Sequence, residues 1–236
     1  MSQYLYAIVD RLPETWQPPT MTIGGCPAVA RPVHDVVVIA SHVERVPLVG
    51  PRALAIHRDI VTAAMDAPAL LPLPFGILIA DDQVERWLEA RWETVEATLD
   101  RVRGRVEMNV KLLRLDSHAS PTERRRHPDR TLGAAEAMRL RALGDRLIDQ
   151  AEIEDWCYRP SGSDVNAAAA VAFLMGRADV DGFLTRIAPI AAHASGVAVV
   201  PTGPWPAYSF VPSLDRIPPS WTTVPAGVHL LDRRAG

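Results

Sequence analysis

The stretch NAAAAVAFLM, residues 166–175, decides how this chain folds. Its alanines favour a helix, because alanine has the highest intrinsic helix propensity. Val171, Phe173 and Met175 instead alternate with smaller residues, the period-two pattern of a strand with one face in a core. The run also lies between two turn-like segments, which favours the strand. The second half of the chain then reads β-α-β-β-α-β. Its members are VEMNVKLL (106–113), a helix over 132–151, DWCYRP (155–160), the 166–175 strand, a helix starting at Asp179, and VAVVP running into GPWPAYSF (203–210). That order is the split-βαβ, ferredoxin-like arrangement, an antiparallel sheet with both helices on one face.

The first half reads as a second α+β unit, β-β-β-α-β. YLYAIV (4–9) is a β-rich run, and MTIGG with CPAVA (21–30) and HDVVVIA (34–40) are further strand candidates. Pro51 suits the first turn of a helix over 52–66, and LLPLPFGILIA (70–80) reads as a buried strand. Asp82 and Glu85 make a capping-box-like start to a helix over 82–103, whose stripe is Val84, Trp87, Leu88, Trp92, Val95, Leu99 and Val102. The expected organisation is an N-terminal α+β domain over 1–103, with helix 82–103 as a bridge, and a C-terminal domain over 104–211. Residues 212–236, with four prolines, read as an extended tail.

Of the 236 residues, 48% are hydrophobic and 22% charged, enough for a sizeable core. The formal charge of −3 argues against a generic polyanion binder, which needs clustered positive charge. The one basic run is Arg124, Arg125 and Arg126, and it lacks the interleaved aromatics of a nucleic-acid platform. It reads as solvated loop charge or as a contact for an acidic partner. Nor do VEMNVKLL and VAVVPT carry the aromatic signature of an RNA-recognition sheet. No apolar run reaches the roughly 18 residues of a membrane span, and the start lacks a signal peptide's basic region. A soluble cytoplasmic protein binding neither nucleic acid nor lipid membrane is expected.

Catalytic chemistry would have to start from Cys26 or from His34, His42 or His57. A cysteine nucleophile needs a histidine in reach and an electropositive setting; Cys26 sits in a turn with no histidine placed beside it, and Cys157 lies in a strand. The histidines lack metal-ligand spacing. Asp81, Asp82 and Glu85 read as helix capping, and TIGGCPA lacks both phosphate-loop frames. No catalytic residue, metal site or cofactor is expected. The alternative is an enzyme using Cys26 or a histidine–carboxylate pair in the crevice between the domains.

GPWPAYSF packs three aromatics and two prolines into eight residues. With Pro201 it makes a Pro-x-x-Pro spacing, but Val197–Val200 lead straight into it, so it reads as a terminal strand. Extended geometry would send Pro206, Tyr208 and Phe210 one way and Trp205, Ala207 and Ser209 the other. Pro204 and Pro206 lack amide donors and demand an edge.

Four segments together resemble the GvpL/GvpF family of gas vesicle proteins. YLYAIV is similar to the family's first strand, and IHRDIVTAAMDAPALLPLPFGILI (56–79) to its helix and following Leu-Pro, Phe-Gly strand. VEMNVKLL resembles its Val-Glu-(aromatic)-x-Val-Lys strand, with Met108 at the aromatic position. GPWPAYSF resembles its closing Gly-Pro-Trp-Pro-Pro-Tyr-Ser-Phe signature, with Ala207 replacing a proline. The resemblance covers about residues 4–211. It implies two α+β domains, the second a modified ferredoxin-like fold with extra helical material within 116–151. It further implies a non-enzymatic accessory component of gas vesicle assembly, bound to the small shell protein and to other accessory gas vesicle proteins. Gly203, Pro204, Trp205, Pro206, Tyr208 and Phe210 are then the family signature and a candidate partner contact.

Overall fold

A computed structural model of the chain describes residues 2–44, 49–115, 134–159, 167–194 and 196–214. These residues form a mixed α+β fold built on two antiparallel sheets. The first sheet contains β1 (Ser2–Val9), β2 (Val29–Val33), β3 (Val36–Val43), β4 (Leu70–Pro72) and β5 (Leu78–Ala80). Its order is β2-β3-β1-β4, with β5 also paired to β1. Strand β1 is central, and Tyr4 through Val9 are completely buried. An all-apolar strand without polar alternation is what burial on both faces demands.

Each face of β1 feeds its own core. Leu5 and Ile8 pack with Val38, Leu71 and Leu88, while Tyr4, Tyr6 and Val9 pack with Ile39, Ile60 and Val61. Leu5 and Ile8 share a face despite their odd spacing because the register with β3 shifts between Leu5 and Ala7; a bulge inverts the parity of a strand. Helix α1 (Pro51–Ala63) covers the tyrosine face through Ile60 and Val61. Helices α2 (Val84–Glu89) and α3 (Trp92–Val102) cover the other through Leu88, Val95 and Leu99. Each such large apolar side chain contributes about 1.5–3 kcal/mol on full burial.

Three expectations need correction here. The run 70–80 is not one strand: β4 and β5 pair with opposite ends of β1, and residues 73–77 loop out between them. Pro72 and Pro74 lack donors and Gly76 has φ 101°, so a continuous ladder is impossible there. MTIGG is not a strand but a 3-10 turn over Ile23–Gly25, with Gly24 and Gly25 at φ 77° and 80°. The expected helix over 82–103 breaks between α2 and α3 at Ala90–Arg91, and no side-chain cap forms at Gln83, which precedes α2. At the break the buried Arg91 guanidinium donates to Trp87 O (2.9 Å) and Leu214 O (2.7 Å) and lies 4.7 Å over the Trp87 ring.

The second sheet contains β6 (Arg105–Arg114), β7 (Trp156–Arg159), β8 (Ala167–Gly176) and β9 (Val197–Trp205), in the order β7-β8-β6-β9. The alanine-rich run is a strand, β8, paired on both sides. Helices α4 (Ala134–Ala151) and α5 (Val180–His193) lie on one face, where Leu147, Phe183 and Ile187 meet Val106, Met108, Val110, Val171 and Phe173. The other face carries a small cluster of Val102, Ala172, Leu174, Ala207 and Phe210.

The end of GPWPAYSF departs from the expected strand. β9 stops at Trp205, and residues 206–210 turn, with Tyr208 N–H donating to Pro206 O (2.7 Å) and Phe210 N–H to Ala207 O (3.1 Å). The anticipated alternation is lost: Ala207 and Phe210 pack together against the second sheet, and Tyr208 joins the first sheet's tyrosine core. Of the expected extended tail over 212–236, Leu214 is 2% exposed within the core beneath α2 and α3, and residues 215–236 lie outside the described residues.

Candidate functional site

The signature segment is held by Glu107, on the face of β6 turned away from α4 and α5. Val106 and Met108 alternate into the helical core, so Glu107 must point to the other side, where it is 1% exposed. A buried carboxylate is tolerable only when donors surround it. Here Oε1 accepts from Asn109 Nδ2 (2.8 Å), Arg159 Nη1 (3.3 Å) and Ser209 Oγ (2.8 Å), and Oε2 accepts from Ser209 N–H (2.7 Å). Charge-assisted bonds of this kind are about twice as strong as neutral ones.

Of the expected contact residues, Gly203 and Pro204 are exposed, Trp205 and Tyr208 are half-buried, and Pro206 and Phe210 are buried. Trp205 donates its indole N–H to Thr202 Oγ1 at 3.4 Å. Gly203 has φ 130°, and a Cβ there would stand 2.8 Å from Met108 Sδ and 2.9 Å from Glu107 O. Phe210 lies under the Arg101 guanidinium (5.8 Å), which also donates to Phe210 O. The segment therefore spends most of its aromatic surface inside the molecule. Arg124, Arg125 and Arg126 lie outside the described residues.

A second polar group is buried in the tyrosine core. His57, on α1, is 4% exposed between Tyr4 Oη, 2.9 Å from Nδ1, and Leu73 O, 3.0 Å from Nε2. A carbonyl only accepts, so Nε2 carries the proton and Tyr4 O–H donates to Nδ1. Tyr4 Oη accepts in turn from Gly76 N–H (3.1 Å), and Tyr6 Oη accepts from Ile23 N–H (3.3 Å) while facing Ser41 Oγ (3.1 Å). Burial pushes His57 down to about 4 and raises both tyrosines. The loop between β4 and β5 is thereby anchored to β1 and α1 through Leu73 and Gly76.

The candidates for chemistry fall elsewhere. Both cysteines are free. Burial raises the Cys157 thiol, and its Sγ faces Ser209 O at 4.0 Å, the reverse of an activated thiolate. The crevice between the sheets holds a cavity of about 10 Å³, room for about one water, lined by Met65, Pro68, Val102, Arg105, Trp205 and Ala207 among others and by no cysteine, histidine or carboxylate. His34 Nε2 lies 3.5 Å from Glu89 and 4.0 Å from Glu85, all at the surface. His34 is 51 or more positions from Glu85 and Glu89, a separation that gives no spacing signal, so its place beside them is illegible without the fold. The same holds for Glu107 with Ser209, although a glutamate inside an apolar strand is itself a cue. A groove of about 370 Å³ lies between the turn at 22–24 and α1, lined by Ile23, Val49, Ala53 and Ile56.

These features define an antiparallel α+β protein whose buried polar groups hold the β4–β5 loop and the segment after β9 in place. A family model described as gas vesicle synthesis protein GvpL/GvpF matches residues 2–154 and 150–212, and the chain belongs to that family. The crystal structure of the gas vesicle protein GvpF from Anabaena sp. PCC7120 is similar, with a TM-score of 0.72 at 18% identity over 89% of this chain and 95% of that one. GvpF from Microcystis aeruginosa is also similar, with a TM-score of 0.66 at 17% identity over 89% of this chain and 98% of that one. No curated protein matches the chain.

Proposed function

We propose that this protein is a non-enzymatic accessory component of gas vesicle assembly, acting by binding the small shell protein and other accessory gas vesicle proteins. The observation that carries the reading is the family match over residues 2–154 and 150–212. The internal use of Glu107, His57 and Cys157 supports it, because these three groups are engaged in packing or hydrogen bonding.

The surface offers two features suited to an apolar partner. The groove lined by Ile23, Val49, Ala53 and Ile56 presents Val49 at 75% exposure. Strands β2 and β9 are edges whose outer backbone groups can take a further strand. Arg124, Arg125 and Arg126 would suit an acidic partner. The second sheet, with order β7-β8-β6-β9 and both helices on one face, fits a modified ferredoxin-like domain following an N-terminal domain. Work in the cytoplasm at the gas vesicle follows from the same reading, and no helix among the described residues is long and apolar enough to cross a membrane.

In-cell crosslinking in a gas-vesicle-forming host, followed by identification of the trapped proteins, tests the proposal. Recovery of the shell protein or an accessory gas vesicle protein is expected. Recovery of neither, with the chain folded and the vesicles forming, would overturn it.

A further inference from the structure

We infer that residues 206–214 are a strap that makes the two sheets unfold as one cooperative unit. The inference concerns the fold and does not depend on the proposed function.

Apart from this segment, the ties between the sheets are sparse and mostly at the surface. Around the connection, Gly104 N–H donates to Pro68 O (2.7 Å) and Arg177 N–H to Gly104 O (3.0 Å). Arg177 also bonds Met65 O and pairs with Asp66 at 3.5 Å, both contacts exposed. Exposed ion pairs contribute little. Each sheet otherwise has its own core, the two being joined where the half-buried Met65 touches both and where Val102 of α3 meets Ala172 and Leu174 of β8.

The strap differs because it places buried side chains in several cores at once. Ala207 and Phe210 pack on Ala172 and Leu174 of the second sheet's outer face and on Val102 at the end of α3. Tyr208 enters the tyrosine core on one face of the first sheet, and Leu214 enters the core on its opposite face. Val211 touches both the latter core and the Phe210 cluster. Polar bonds fix the strap's middle and its far end: Ser209 to Glu107 of β6, and Leu214 O to the buried Arg91 between α2 and α3. Nine residues thus grip the first sheet on both faces while bonded to the second. Opening either sheet alone must strip these anchors, so the cost of opening one is shared with the other.

Native-state hydrogen exchange of the full chain, followed by mass spectrometry over β1, β3, β6 and β8 in increasing denaturant, reads this coupling. In the wild type the slowest amides of both sheets should converge on one opening event with one denaturant dependence. Glu107→Gln, a change on the second sheet, should lower protection by about tenfold or more in β1 and β3 as well as in β6 and β8. Leu214→Ala, a change on the first sheet's side, should lower protection in β6 and β8 too. Should Glu107→Gln not fold, Ser209→Ala, which keeps the backbone bond, replaces it with the same cross-effect expected at smaller size. Loss confined to the sheet that carries the substituted anchor, or separate opening events in the wild type, overturns the inference.

Discussion

Ser209 gives both its backbone N–H and its hydroxyl to the carboxylate of Glu107, at 2.7 and 2.8 Å, across 102 positions of sequence. One side chain thereby decides where the chain goes after its last strand. Without that acceptor, a buried amide at residue 209 would have to find another partner or water.

Removing the acceptor should therefore cost more than removing a donor. Glu107→Ala leaves the donors of Asn109 and Ser209 buried without their partner, and a loss of about 3 kcal/mol is expected. Ser209→Ala retains the backbone bond and should cost about 1 kcal/mol. Urea unfolding of both variants checks the ranking, and equal losses would contradict it.

Gly203 and Gly25 both have positive φ, at 130° and 80°, yet only Gly203 is crowded. Alanine at 203 would press on Met108 Sδ and the immovable Glu107 O, while nothing lies within 4 Å of a Cβ at 25. Gly25→Ala should cost about 1 kcal/mol from backbone strain alone, and Gly203→Ala about 3 kcal/mol or more. Thermal unfolding of the pair separates steric crowding from conformational strain.

His57 should make stability fall in mild acid. Burial lowers its pKa from 6.5 to about 4, so between those values the unfolded chain binds the proton and the folded chain does not. Its contribution is complete above about pH 6.5 and is lost as the pH falls towards 4, up to about 3 kcal/mol in total. His57→Gln should remove that part of the slope. Denaturant midpoints across the window would show it, and a slope unchanged in the variant would refute the assignment.

The groove beside α1 gives the binding proposal a local test. Val49→Glu with Ala53→Glu adds charge to apolar lining at residues that are 75% exposed and partly exposed. Co-purification with the shell protein should fall at least tenfold, with melting within about 2 °C of wild type. Undiminished recovery would shift the contact to a strand edge.

What the sequence determined by itself is chiefly local. The alternation of Val171, Phe173 and Met175 made β8 legible through its alanines, and Val106, Met108 and Val110 marked the core face of β6, because side-chain period is a property of a single strand. Four motifs in order, YLYAIV, IHRDIVTAAMDAPALLPLPFGILI, VEMNVKLL and GPWPAYSF, also carried the resemblance to the family. Tertiary structure alone decided the rest. At the break, Arg91 reaches Leu214 O across 123 positions of sequence, and β4 and β5 separate because β1 offers each a different end. GPWPAYSF leaves its strand at Trp205, where Glu107 of the neighbouring strand β6, distant in sequence but opposite in register, supplies the acceptor that the Ser209 amide would otherwise seek in a ladder. Such outcomes depend on partners distant in sequence, and periodicity carries no information about which distant group completes a hydrogen bond.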